Sequence, residues 1–186
     1  MTECSENGGQ LVNSYALVAY VPDPLRSFLD DLRRELVPAC IPNAHITILP
    51  PRPLLVGPEA AWRQICLRVA EFPCFIIQPR EVEIFDVNPV IHIAIGAGFP
   101  QLQRLHDCLN TDSLEFPEVF TYYPHITLAQ ELAPEQITEV WELARRRWAE
   151  CPVKQPFPVE TVTFVQNTSR NEWIDLVDCR LGKSSR

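Results

Sequence analysis

His45 and Thr47 stand two residues apart in AHITILPP (44–51), and His125 and Thr127 stand two residues apart in YPHITLAQ (123–130), so His-Ile-Thr is written twice. On an extended strand side chains alternate between faces. Each imidazole therefore shares a face with its hydroxyl, roughly 6.5–7 Å along the strand, while Ile46, Ile48, Ile126 and Leu128 face the other way. If the two strands are related by an approximate two-fold axis, two imidazoles and two hydroxyls converge, a set suited to a phosphodiester. A neutral imidazole takes a proton from an attacking water or hydroxyl, and a cationic one protonates the leaving oxygen. The threonine hydroxyls hydrogen-bond the non-bridging oxygens. This chemistry calls for no metal and no cofactor. A single H-x-T is common in strands, and a lone histidine more often packs than catalyses. The weight lies in two copies at corresponding places of a repeated pattern.

The elements that must position these residues follow from periodicity and punctuation. SYALVAYVP (14–22) alternates and is rich in β-formers, which predicts a strand. DPLRSFLDDLRRELVP (23–38) spaces Leu25, Phe28, Leu29, Leu32 and Leu36 as a helix after Asp-Pro. AHITILP is the next strand, stopped by Pro50, Pro51 and Pro53; GPEAAWRQICLRVAEF (57–72) is a second helix, and CFIIQPREVEIFD (74–86) a long strand bent at Pro79. The order then recurs: strand VIHIAIGAG (90–98), helix FPQLQRLHDCLN (99–110), strand YYPHITLAQ (122–130), helix from Pro134 through ARRRWAE, and strand FPVETVTFVQ (157–166). Each His-Ile-Thr falls in the second strand of its half. EWIDLVDCRL (172–181), after NTSRN, is expected to close a hairpin with the preceding strand, and GKSSR to be a frayed tail. Only DVNP (86–89) separates the halves, so the reading is one α+β domain over 1–186, bilobal and internally duplicated, with repeats at about 14–87 and 89–166 and a last strand at about 172–181.

The formal net charge is −8, which excludes a long duplex footprint, because proteins that track many phosphates bring cationic surfaces. A small nucleotide or one RNA terminus remains compatible. No apolar run approaches the roughly 20 residues of a membrane span, and the polar start lacks a signal-peptide pattern, so a cytoplasmic monomer is expected. The seven cysteines, Cys4, Cys40, Cys66, Cys74, Cys108, Cys151 and Cys179, form no C-x-x-C pair and read as reduced, mostly buried thiols.

The paired H-x-T strands, the repeated β-α-β-α-β order and the chain length resemble the two-histidine (2H) phosphoesterase superfamily, the 2′-5′ RNA ligase-like proteins. The resemblance spans nearly the whole chain. It implies a bilobal α+β fold with antiparallel sheets lining a central cleft and helices outside, and metal-independent action on 2′,3′-cyclic or 2′-5′ phosphodiester bonds. It matches His45 and His125 to the catalytic histidines and Thr47 and Thr127 to the phosphate-binding hydroxyls. Many relatives carry a basic residue after the second motif, in H-x-T-L-x-R, where this chain has Gln130.

The expected activity is hydrolysis of a nucleoside 2′,3′-cyclic phosphate or a cyclic RNA end. Ligation or cleavage of 2′-5′ linkages and a non-catalytic module that binds a nucleotide or RNA end are the alternatives. Arg52 is a candidate for neutralising phosphate, and Tyr122 and Tyr123 for stacking on a base. Against these stand plainer roles, an exposed loop cation and packing tyrosines. His92 and His106 lack a following threonine and read as structural. The basic run ARRRW (144–148) reads as a solvated helix face paired with Glu139 and Glu142.

Overall fold

The computed structural model describes residues 9–182, so Cys4 and residues 183–186 of the expected frayed tail lie outside the described residues. Its strands are β1 (Leu11–Tyr20), β2 (His45–Arg52), β3 (Phe75–Ile77), β4 (Pro79–Ile84), β5 (Ile91–Ile95), β6 (His125–Ala129), β7 (Phe157–Val159), β8 (Thr161–Thr168) and β9 (Trp173–Arg180). The α-helices are α1 (Leu25–Leu36), α2 (Pro58–Glu71), α3 (Phe99–Leu109) and α4 (Ile137–Ala149).

Seven strands form one antiparallel sheet in the order β4-β5-β6-β2-β1-β8-β9. The expected α+β architecture is therefore observed, with both motif strands at the centre of the sheet. The expected hairpin of the last two strands is also present as β8–β9. Two strands read as continuous are broken instead. Gln78 separates β3 from β4 and Glu160 separates β7 from β8, and the short pieces β3 and β7 pair in a separate two-stranded sheet. Proline marks both regions: Pro79, without an N–H, opens β4, and Pro158 sits inside β7 on the short pairing with Ile76.

The last strand of each sequence repeat crosses over. β4 follows α2 in the chain but pairs with β5, and β8 follows α4 but pairs with β1. A three-stranded group, β4-β5-β6, thus meets a four-stranded group, β2-β1-β8-β9, at β2–β6, where Ile46 faces Ile126 in register.

One core lies between the apolar face of the sheet and the helices. Ile46, Ile48, Ile126 and Leu128 pack there with Leu29 and Leu32 of α1, Ile65 and Val69 of α2, Leu102 and Leu105 of α3 and Trp148 of α4. The heptad-like spacing Leu25, Leu29, Leu32, Leu36 puts all four α1 leucines on the buried face. Gly98 sets the turn into α3: its φ is +91°, and a Cβ there would lie 2.5 Å from the Ile76 carbonyl oxygen. The opposite face of the sheet carries the histidines.

The thiol expectation is corrected. Cys66 of α2 and Cys179 of β9 form a disulfide, with Cα atoms 5.1 Å apart and a sequence separation of 113. Packing of α2 on β9 creates this pair, and no cysteine spacing announces it. Of the free cysteines among the described residues only Cys151 is buried; Cys108 is exposed.

Candidate functional site

Both triplets show the same burial pattern: half-buried His, buried Ile, half-buried Thr, buried Leu or Ile. Because Ile46 opposes Ile126 in an antiparallel pair, His45 opposes Thr127 and Thr47 opposes His125 on the helix-free face. The two imidazoles occupy a diagonal, on residues about 7–8 Å apart.

Each ring is held by the same device. His45 Nδ1 donates to the Asn43 carbonyl at 2.7 Å, and His125 Nδ1 donates to the Tyr123 carbonyl at 2.7 Å. A carbonyl accepts only, so Nδ1 carries the proton and Nε2 keeps its lone pair. The start of β2 is fixed from α1, where Asp30 accepts the Ala44 N–H at 2.8 Å.

Burial pushes the His45 imidazole below its usual value, opposed by the Asn43 carbonyl and reinforced by the charges of Arg33 and His125. His125 is pushed down to about 4, first by burial and then by repulsion from His92, with the Tyr123 carbonyl opposing. Both rings are neutral bases at pH 7 in the free protein. An anion bound between the rings would raise both values and let one ring hold a proton.

The flanks of the cleft differ. Beyond His45 lie Tyr20, whose hydroxyl donates to Asp175 at 2.5 Å, and Thr163, whose hydroxyl donates to Asp178 at 2.7 Å. The ring of Tyr20 meets His45 edge-on at 6.4 Å. Beyond His125 lie Phe85, His92 and Tyr123, with Phe85 and His92 each 5.1 Å from the His125 ring. Tyr123 is 39% exposed, against Phe85 and Phe99, and its ring is available at the cleft.

Two candidates are corrected. Arg52 is 3% exposed and lies on the helix side of the sheet, donating to the Pro50 and Leu114 carbonyls, to Asn110 and to Glu118. The β1–β2 ladder shifts register twice, so Arg52 keeps the face of Ile46 and Ile48 that simple alternation assigns it; its nearness to the first motif, not its face, made it a candidate. Tyr122 does not offer its ring to the cleft: it stacks on His106 at 4.0 Å, and its hydroxyl donates to the Thr47 carbonyl at 2.8 Å. His106 in turn lies 3.0 Å from the Glu118 carboxylate that pairs with Arg52. The structure thus builds a buried polar chain from Arg52 through Glu118, His106 and Tyr122 to the backbone of Thr47.

Sequence reasoning set aside His92, which the structure places beside His125. Its missing threonine hid it, and the pairing of β5 with β6 that brings it there is tertiary. Gln130 is exposed. Among the described residues, no group of three or more His, Cys, Asp or Glu side chains converges to hold a metal ion.

A helix-backed antiparallel sheet with two paired H-x-T strands at its centre defines a two-histidine phosphoesterase-type protein. The family model of the 2′-5′ RNA ligase superfamily matches residues 21–171, and the chain belongs to that family. The fold is similar to that of Escherichia coli LigT in its apo form, with a TM-score of 0.63 at 14% identity over 94% of this chain and 100% of that one. It is also similar to TT0787 of Thermus thermophilus, with a TM-score of 0.57 at 18% identity, covering 92% and 100% of the two chains. A solved structure described as a phosphoesterase gives 0.61 at 15% identity, covering 95% and 100%. A search of the curated proteins yields no significant match.

Proposed function

We propose that the protein is a metal-independent phosphodiesterase that hydrolyses 2′,3′-cyclic phosphates of nucleotides or RNA ends by general acid–base catalysis between His45 and His125. The observation that carries this reading is the duplicated pinning of Nδ1, which frees both Nε2 atoms on paired strands for one phosphate. Water attacks phosphorus as one imidazole takes its proton, and the other ring gives a proton to the departing ribose oxygen. Thr47 and Thr127, each opposite a histidine, hold the non-bridging oxygens as charge shifts onto them.

Substrate size follows from charge. Asp175 and Asp178 are exposed on one flank and the chain carries −8 overall, which favours a mononucleotide or single terminus over a long RNA track. E. coli LigT, whose fold this chain shares, has been crystallised with 3′-AMP and with ATP.

The deciding assay presents the four nucleoside 2′,3′-cyclic phosphates and a short RNA with a cyclic end, in chelator, beside a His45→Ala, His125→Ala double variant. Turnover that survives chelation and disappears in the variant supports the reading. Activity only on a 2′-5′ linkage, or binding with no turnover, replaces it with one of the alternatives.

The lowered imidazoles set a pH profile. The productive dyad holds one proton, so kcat/KM peaks between about 4, the His125 value, and the ordinary imidazole value of about 6.5. Above that range it falls about tenfold per pH unit. Because bound anion raises both values, the kcat profile lies at higher pH than kcat/KM. A kcat/KM that keeps rising from pH 7 to 9 contradicts this. The same groups make the fold acid-sensitive: both bind protons more weakly folded than unfolded, and the His125 contribution is full above about 6.5 and lost as pH falls through about 4, with His45 acting in the same direction. Near-UV circular dichroism separates this loss from the catalytic limb.

A further inference from the structure

His92 has no part in the two-histidine chemistry, yet it is 1% exposed, on β5 opposite Thr127 and beside His125. Its Nδ1 lies 3.1 Å from the Val90 carbonyl, two residues back, as in the two motif histidines. That contact leaves Nε2 as a bare acceptor, and this buried atom has no hydrogen-bond partner. Glu83, opposite His92 on β4, places a carboxylate oxygen 3.9 Å from Nε2. With His92 neutral, as its burial favours, that oxygen is a second acceptor and cannot satisfy the first. Around them stand aromatic rings: Phe85 stacks on His92 at 4.0 Å, and Tyr123 meets Phe85 edge-on at 5.5 Å. Two adjacent acceptors bordered by aromatic faces match a planar ring that carries an amino group, whose two N–H bonds supply one donor to each.

We propose that the flank beside His125 is a nucleobase subsite in which His92 Nε2 and the Glu83 carboxylate read an exocyclic amino group. The inference rests on the nucleotide reading of the cleft given above. Adenine, cytosine and guanine carry that group. Uracil presents a carbonyl oxygen in its place and faces two acceptors with a third. Solvent does not reach Nε2 in the free protein, so the bond to the amino group forms away from water. The subsite also gives the reaction a direction. A base held on this flank puts its ribose next to His125. His125 then protonates the leaving ribose oxygen as the P–O bond breaks, while His45 accepts the proton of the water whose oxygen bonds to phosphorus. The atoms balance as a hydrolysis.

The test compares cytidine and uridine 3′-monophosphates, which share a ring size and differ in amino against carbonyl, by titration calorimetry. The intact protein is expected to bind the cytidine nucleotide roughly tenfold more tightly. His92→Phe keeps an aromatic ring against Phe85 and removes the acceptor, bringing the two nucleotides to near parity. Glu83→Gln, at a half-exposed side chain, halves the acceptor pair without threatening the fold and reduces the preference several-fold. Equal binding by the intact protein, or an undiminished preference in both variants, overturns the subsite. Binding is read without turnover, so the two readings fail separately. Discrimination with no hydrolysis of any cyclic nucleotide keeps the subsite and removes the phosphodiesterase, and hydrolysis with no discrimination does the reverse.

Discussion

Replacing His45 or His125 by alanine lowers turnover of a 2′,3′-cyclic nucleotide by about 10²–10⁴-fold, the range that a positioned general acid or base supplies. The double variant falls little further, because acid and base act in one transition state and removing either disables the pair. Stability changes little: both rings are half-buried at the cleft, and the carbonyls they release, on Asn43 and Tyr123, belong to exposed contacts that water can serve. Single-turnover rates with a thermal melt of each variant make the measurement. A loss of less than tenfold in a correctly folded preparation rejects the two-histidine mechanism.

Arg52→Ala behaves in the opposite way: it costs about 3–5 kcal/mol of stability, a large share of the ~5–15 kcal/mol of an ordinary domain. At about 2–4 °C per kcal/mol for a chain of this size, the melting temperature falls by about 6–20 °C. The reason is burial. Arg52 and Glu118 form an ion pair at 2.6 Å with side chains 2% and 14% exposed, and removing the guanidinium strands a buried carboxylate. His106, Tyr122 and the Thr47 carbonyl hang on that carboxylate, so activity falls as well. Arg52→Met, which removes the charge but keeps the stem, leaves Glu118 stranded and lowers the melting temperature too; Arg52→Met with Glu118→Gln recovers part of it. A phosphate-binding arginine would show raised KM at unchanged melting temperature. That outcome would reinstate the role its place beside the first motif suggested.

The contrast between these two predictions marks where sequence stops informing. The faces of His45, Thr47, His125 and Thr127 were legible because alternation is a local property of extended backbone, enforced by apolar Ile46, Ile48, Ile126 and Leu128 that must reach the core. The α-helices were legible for the same reason: the α1 leucines declare their buried face by spacing alone. Arg52 takes the face of Ile46 and Ile48, as alternation along β2 has it, but the partners that bury it, Asn110, Leu114 and Glu118, come from far along the chain. The neighbours of the site were out of reach altogether. That β5 lies against β6 and carries His92 to His125, that α2 meets β9 and joins Cys66 to Cys179, and that Tyr122 turns back to Thr47 are all facts of long-range packing. Which residues can act and which face they take follow from side-chain chemistry and backbone period, both written in the chain itself. Tertiary structure alone decided which of them meet, which are locked in the core, and which flank of the cleft is aromatic, because those depend on strand order and on pairs far apart in the chain.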